Sequence, residues 1–118
     1  MNHGKKKVTK FGRLRGDRIS FLRNLCNDLI RNGAIETTEA RARVIRPKVE
    51  RLVTFAKKQT IAARREILSR VDNARVTKKL YEDYGPRYAD RKGGYLRITK
   101  LGVARKRDGT RMARIEFV

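Results

Sequence analysis

Between Thr37 and Lys58 the apolar residues Ala42, Ile45, Val49, Leu52, Val53 and Ala56 recur at intervals of three and four. Only a helix turns that spacing into one face. On a wheel of about 100° per residue they share an arc of roughly 100°, the width of a core-facing stripe. Every Arg and Lys of the segment falls outside that arc. Thr38 is placed to cap the helix, and Glu39 suits a first turn where the helix dipole is positive. Pro47 falls after two turns, where the missing N–H is expected to kink the helix or split it near Arg46.

The remaining elements are read outward from this helix. Asp17 or Ser20 is expected to cap a first helix running to about Arg31, with Leu22, Leu25, Cys26, Leu29 and Ile30 inside and Asn32-Gly33 as its stop. Ala34 to Thr37 reads as a brief strand with Ile35 inward. After the central helix, Thr60 caps a helix through Val71. Asp72-Asn73 then breaks the chain and starts a helix from Ala74 to Tyr84, buried through Val76, Leu80 and Tyr84. Gly85-Pro86 is expected to end it. Tyr95 to Ala104 and Thr110 to Val118 form two strands joined through Lys106-Arg107-Asp108-Gly109, where Asp-Gly signals a hairpin turn. The apolar phase slips from Leu96 and Ile98 to Leu101 and Val103, marking a bulge at Gly102. Grouped elements imply an α+β fold: helix, strand, three helices and a β-hairpin, with a small three-stranded mixed sheet covered by helices.

One globular domain is expected over residues 19–118, preceded by a basic RNA-binding arm over residues 1–18. The arm carries Lys5, Lys6, Lys7, Lys10, Arg13, Arg15 and Arg18 against the single acid Asp17. It shows no helical or strand period, so it is expected to be mobile when free and to order in an RNA groove, with Phe11 able to pack or stack. The whole chain has the same bias. Its 32 Lys and Arg against 12 Asp and Glu give a formal net charge of +20. Such a charge costs self-repulsion and is normally offset by a polyanion. No apolar run of about 18 residues offers a membrane span, and no apolar segment near Met1 offers a signal peptide.

A second basic concentration lies at Pro86 to Arg97. Arg87, Arg91, Lys92 and Arg97 are interleaved with Tyr88 and Tyr95 around Gly93-Gly94. Glycines let a backbone approach a phosphate, the cations supply countercharge, and tyrosines offer stacking faces. The four cations are therefore expected on one RNA-facing surface, with Tyr88 or Tyr95 against ribose or base. Gly93-Gly94 lacks the spacing of a P-loop or a dinucleotide fingerprint.

Catalytic chemistry finds little support. Cys26 is the only cysteine and falls mid-face on the first helix, as a buried small hydrophobe would. His3 is the only histidine, so neither a His-rich metal site nor a catalytic triad can be assembled. Acids alternate with basic residues at ion-pair spacing, which argues against a basic ribonuclease. The two helices either side of Asp72-Asn73 could suggest a DNA-binding architectural protein, but the second offers Arg75, Lys78 and Lys79 with few side chains that read base edges.

Taken together, several segments resemble a known family, the seventeenth protein of the bacterial large ribosomal subunit. They are Arg23-Asn24-Leu25, Ile35-Glu36-Thr37-Thr38 followed by Ala40-Arg41-Ala42, Arg46-Pro47 with Val49-Glu50, and Ala56-Lys57. Gly85-Pro86-Arg87-Tyr88, Arg91 through Arg97 and the ending Met112 to Val118 complete the pattern. The chain departs from it at Asn2 and Asp17. The resemblance implies a cytoplasmic protein of the large subunit that binds 23S-type ribosomal RNA near the outer surface around the peptide exit, beside other large-subunit proteins. It also implies no enzymatic activity, no cofactor, no metal, no small-molecule substrate and no membrane. Arg23, Arg41 and Arg46 then join the arm cations and Arg87, Tyr88, Arg91, Lys92, Gly93, Gly94, Tyr95 and Arg97 as expected RNA-binding residues.

Overall fold

The structure is a computed structural model that describes residues 14–104 and 109–118. Helix α1 spans Arg15–Asn32. Its first residue follows Leu14, whose side chain makes no cap, so neither Asp17 nor Ser20 fills that role. Asp17 instead sits in the first turn, where it complements the dipole. Gly33 ends the helix at φ 80°, its N–H bonded to the Leu29 carbonyl at 2.8 Å, a left-handed stop that glycine adopts without strain. Because the helix begins at Arg15, the expected boundary of the arm at residue 18 falls inside α1.

Strand β1, Ala34–Thr38, runs straight into helix α2, Glu39–Lys57. Thr38 closes the strand and caps the helix together, its hydroxyl accepting from the Arg41 N–H at 3.2 Å. Helix α2 continues unbroken past Pro47, so of the expected kink or split the split does not occur. Pro47 is exposed, as is Arg43, whose carbonyl loses its intrahelical donor and is left on the watered side. All six residues of the apolar stripe are buried, and Ala42, Ile45, Val49, Val53 and Ala56 are wholly so. Burying each of the larger ones stabilises the fold by roughly 1.5–3 kcal/mol as an upper estimate.

Helix α3, Ile61–Val71, is capped by Thr60, and α4, Ala74–Lys79, by Asn73, whose side-chain oxygen accepts from the Val76 N–H at 3.0 Å. The chain then departs from expectation. A π-helical turn, Leu80–Tyr84, replaces the last α-turns, and the helical path continues into α5, Gly85–Arg87. Gly85 is not a stop. It is helical at φ −56°, and a Cβ there would lie 2.6 Å from the Ala56 carbonyl oxygen. The bare backbone is what lets this turn press against the end of α2.

Strands β2, Leu96–Ala104, and β3, Arg111–Phe117, complete a sheet of order β1-β3-β2. Every pairing is antiparallel, so the sheet is not mixed as expected. The return of β3 between β1 and β2 requires no parallel crossover. Ile35, Ile115 and Ile98 stand opposite one another across the three strands, a row of β-branched side chains on the face that meets the core. Register slips between Lys100 and Ala104, and Gly102 sits there at φ 68°, the bulge expected from the phase shift. The turn residues 105–108 lie outside the described residues.

Candidate nucleic-acid interface

The segment from Pro86 to Arg97 divides its two residue types sharply. Tyr88 is 5% exposed and Tyr95 3%, so neither offers the stacking face expected of it. Tyr84 and Phe117 stack at 4.0 Å between ring centroids, and Tyr88 lies tilted against Tyr95 at 5.3 Å. The hydroxyls are engaged as well. Tyr84 donates to the Ile30 carbonyl at 2.9 Å, Tyr88 to the Val118 carbonyl, and Tyr95 to the Arg91 carbonyl at 3.2 Å. The Lys57 ammonium donates to the same Arg91 carbonyl and to the Tyr95 oxygen at 2.9 Å, fastening the loop to the end of α2. Burial pushes the Tyr84 hydroxyl up to about 12, against the opposing charge of Arg87. These tyrosines build the fold, packed with one another and with Phe117 at the edge of the core.

The cations of the segment stay outside. Arg87 donates to both carboxylate oxygens of Asp83, at 2.9 and 3.0 Å, and lies 4.8 Å over the Tyr84 ring. Partial burial works against its charge, but Tyr88 and Asp83 outweigh that and raise the guanidinium above its ordinary range. Arg91 bonds the Gly93 carbonyl at 3.1 Å, and Arg97 lies 3.6 Å from Glu116. Lys92 is exposed with no acid beside it among the described residues. Gly93 and Gly94 are exposed with nothing within 4 Å of a notional Cβ. Gly94 at φ +64° is where the loop needs glycine.

The other expected residues are spread over α1 and α2. Arg15 and Arg18 occupy the first turn of α1. Arg23 lies 3.9 Å from Asp72, Arg41 stands 4.9 Å over the Phe21 ring, and Arg46 pairs with Glu50 at 3.5 Å. Lys5, Lys6, Lys7, Lys10 and Arg13 lie outside the described residues. Ion pairs engage Arg31, Arg70 and Arg114 in the same way, one turn or two residues from an acid. Such exposed pairs add about 0.3–0.5 kcal/mol each and leave the field of the surplus cations standing.

That surplus includes residues the sequence reading did not single out as RNA contacts. Arg43, Lys48, Arg51, Arg65, Arg75 and Lys100 are exposed, with no acid partner among the described residues. For α2 the signal was available, since Arg41, Lys48 and Arg51 lie within about 80° on the helical wheel, flanking one side of the apolar stripe. The arrangement can hold phosphates. Among the described residues it offers no paired acid and base in a cleft: Asp83 is committed to Arg87, and burial pushes the Cys26 thiol up to about 11 despite Lys48 nearby. Nor does α4 resemble a DNA-reading helix. It is six residues long, two of them buried, and Asn73 is committed to its cap.

A family model described as Ribosomal protein L17 matches residues 21–118. The relatives named large ribosomal subunit protein bL17 include one from Gemmatimonas aurantiaca, 50% identical over 101 residues, which span 86% of this chain and 85% of the relative. Another, from Moorella thermoacetica, is 43% identical over 109 residues, or 92% and 96% of the two chains. A third, from Finegoldia magna, is 46% identical over 111 residues, or 94% and 84%.

Proposed function

The chain belongs to the ribosomal protein L17 family, and on that premise we propose that it fastens to 23S-type ribosomal RNA in the large subunit through its surface cations. It is a structural constituent of the ribosome and not an enzyme. Its place is the outer side of the subunit around the peptide exit, beside other large-subunit proteins, as the family resemblance implies. The observation that carries the RNA reading is the division of labour at Pro86 to Arg97, where the aromatic rings are buried and the cations are left in water. Arg91, Lys92, Arg97 and the Gly93-Gly94 backbone are the contacts we assign there, with Arg15, Arg18, Arg41, Lys48 and Arg51 on the helices and the arm cations beyond them. Phosphate contact by Lys and Arg releases counterions, so affinity must depend on salt.

The test is a titration of the full chain against a large-subunit RNA fragment at several salt concentrations. If about six to ten phosphates are neutralised, affinity falls by roughly a thousandfold or more between 50 and 200 mM salt. A log-log slope shallower than about −2 would contradict the reading. Equal affinity for duplex DNA of the same length would favour an architectural DNA-binding role instead. Crosslinking in isolated subunits, with the crosslinked nucleotides sequenced, tests the position near the exit.

A further inference from the structure

A groove of about 450 Å³ opens between α1, α2 and α3. Its floor is apolar, formed by Leu22, Cys26, Val44, Leu52 and Val71. Its rim is cationic: Arg18, Lys48 and Arg51 have no acid partner among the described residues, while Arg23 and Arg70 each stand by one acid. Asn27 also lines it and is 7% exposed. The Asn27 amide nitrogen donates to the Val71 carbonyl at 3.1 Å, which fixes the other end as oxygen, since a carbonyl can only accept. That oxygen is buried and has no donor among the described residues. An unsatisfied buried acceptor is a cost that a bound N–H would remove.

We propose that this groove is a nucleotide pocket, in which one unstacked base of the bound RNA lies on the apolar floor while Arg18, Lys48 and Arg51 hold its flanking phosphates. The inference rests on the RNA-binding reading above. The occupant must be anionic because the rim is cationic, which rules out the basic arm of this chain. It must be small, because the volume suits a single ligand-sized group and not the face of a helix. It must bring both an apolar face and an N–H donor. A base in an unpaired stretch of RNA has all of these, and such bases are the ones proteins take up from single strands. A small shift of the lining that uncovers the Asn27 oxygen then lets an imino or amino group of the base complete its hydrogen bonding.

The experiment compares two fluorescein-labelled strands of about ten nucleotides, equal in charge: oligouridylate and an abasic ribose-phosphate strand. With the full chain, the uridine strand is expected to bind roughly tenfold more tightly, because only it can fill the floor. The Asn27 side-chain amide resonances should shift with the uridine strand and stay in place with the abasic one. Val44→Trp, which fills the groove, should abolish the difference while leaving the salt slope unchanged. If that variant fails to fold, the Asn27 resonances in the unaltered chain decide alone. Equal affinity for the two strands with Asn27 unmoved overturns the pocket and leaves RNA binding standing. Failure to bind either strand, or the large-subunit fragment, overturns both readings. Displacement of the uridine strand by a leucine–glutamate peptide that moves Asn27 in the same way overturns the nucleotide assignment in favour of a protein segment.

Discussion

Around the C-terminal end of α2, each buried tyrosine hydroxyl is closed on a partner within the chain: Tyr84 on Ile30, Tyr88 on Val118, Tyr95 on Arg91 with Lys57 beside it. Along the flank of the same helix that faces α1 and α3, the Asn27 oxygen has no donor, and Lys48 and Arg51 have no acid among the described residues. One helix therefore organises a region that is complete in itself and a region that is not. In a chain of formal charge +20 the distinction separates residues that hold the fold from residues that await a polyanion. The aromatic corner should govern stability and hardly touch RNA affinity. The groove should do the reverse.

The largest effect expected from this contrast is on folding. Tyr84→Ala removes a ring that is 1% exposed, its stack on Phe117 and its bond to Ile30. A loss of about 3–5 kcal/mol in a urea melt is expected. The paired change Lys48→Ala with Arg51→Ala should move the same melt by less than about 0.5 kcal/mol. Comparable losses from the two would break the comparison.

Alkali should reach the aromatic corner next. Tyr84 is raised from its ordinary 10 to about 12 in the fold. A group whose folded value is raised contributes stability that is fully present below pH 10 and is lost as pH climbs to about 12. The two-unit difference amounts to about 2–3 kcal/mol. Cys26, raised from 9 to about 11, adds an earlier loss over that interval. Melts of the free protein from pH 8 upward should show the decline, and Tyr84→Phe should remove its upper part. A melt flat to pH 12 would mean that these groups ionise without disturbing the core.

How much of this could be seen in advance follows the physical range of each signal. The stripe of α2, the caps Thr38, Thr60 and Asn73, and the bulge at Gly102 depend on neighbours within a few residues, and all were legible. Tyr88 and Tyr95 were misread because interleaved Tyr and Arg fit a stacking surface and a core edge equally well. Their packing decides, since Tyr88 lies against Tyr95 and Phe117 and both tyrosines are buried. Gly85 carried the right residue type for a helix stop, yet its reason is the Ala56 carbonyl, which lies far away in sequence. The split expected at Pro47 did not occur for a similar reason, since an exposed carbonyl can be satisfied by water where a buried one could not. The groove needed three helices placed at once, so single-element reasoning could name Cys26 as buried but could not place Lys48 and Arg51 beside it.

A third effect concerns the exposed loop. Arg91→Ala with Lys92→Ala should weaken binding to the large-subunit RNA fragment by about tenfold, through two lost phosphate contacts, and flatten the salt slope by up to about 2. Circular dichroism should be unchanged, although Arg91 bonds Gly93, because that bond is on the surface. Unchanged affinity would return the loop to a lead into β2 and nothing more.

The smallest effect is the sharpest test of the groove side, because it changes sign. Glu66 pairs with Arg70 at 2.9 Å, one turn apart on α3, and Arg70 stands on the groove rim. The pair is exposed, so Glu66→Gln should lower stability by only about 0.3–0.5 kcal/mol. For RNA the same change removes a negative charge from the rim and releases a guanidinium to meet a phosphate. Affinity should therefore rise, by about two- to threefold at low salt, and the log-log slope should steepen by up to about 0.9. The matching change Asp83→Asn releases Arg87 at the aromatic corner; Arg70 leans on Phe55 at 5.0 Å much as Arg87 leans on Tyr84 at 4.8 Å, but Arg87 also lies 5.9 Å over the Tyr88 ring and is less free to leave. A smaller gain is expected there. Gains of equal size at the two acids would mean that RNA responds to total charge alone, and that the groove has no privileged place on the surface.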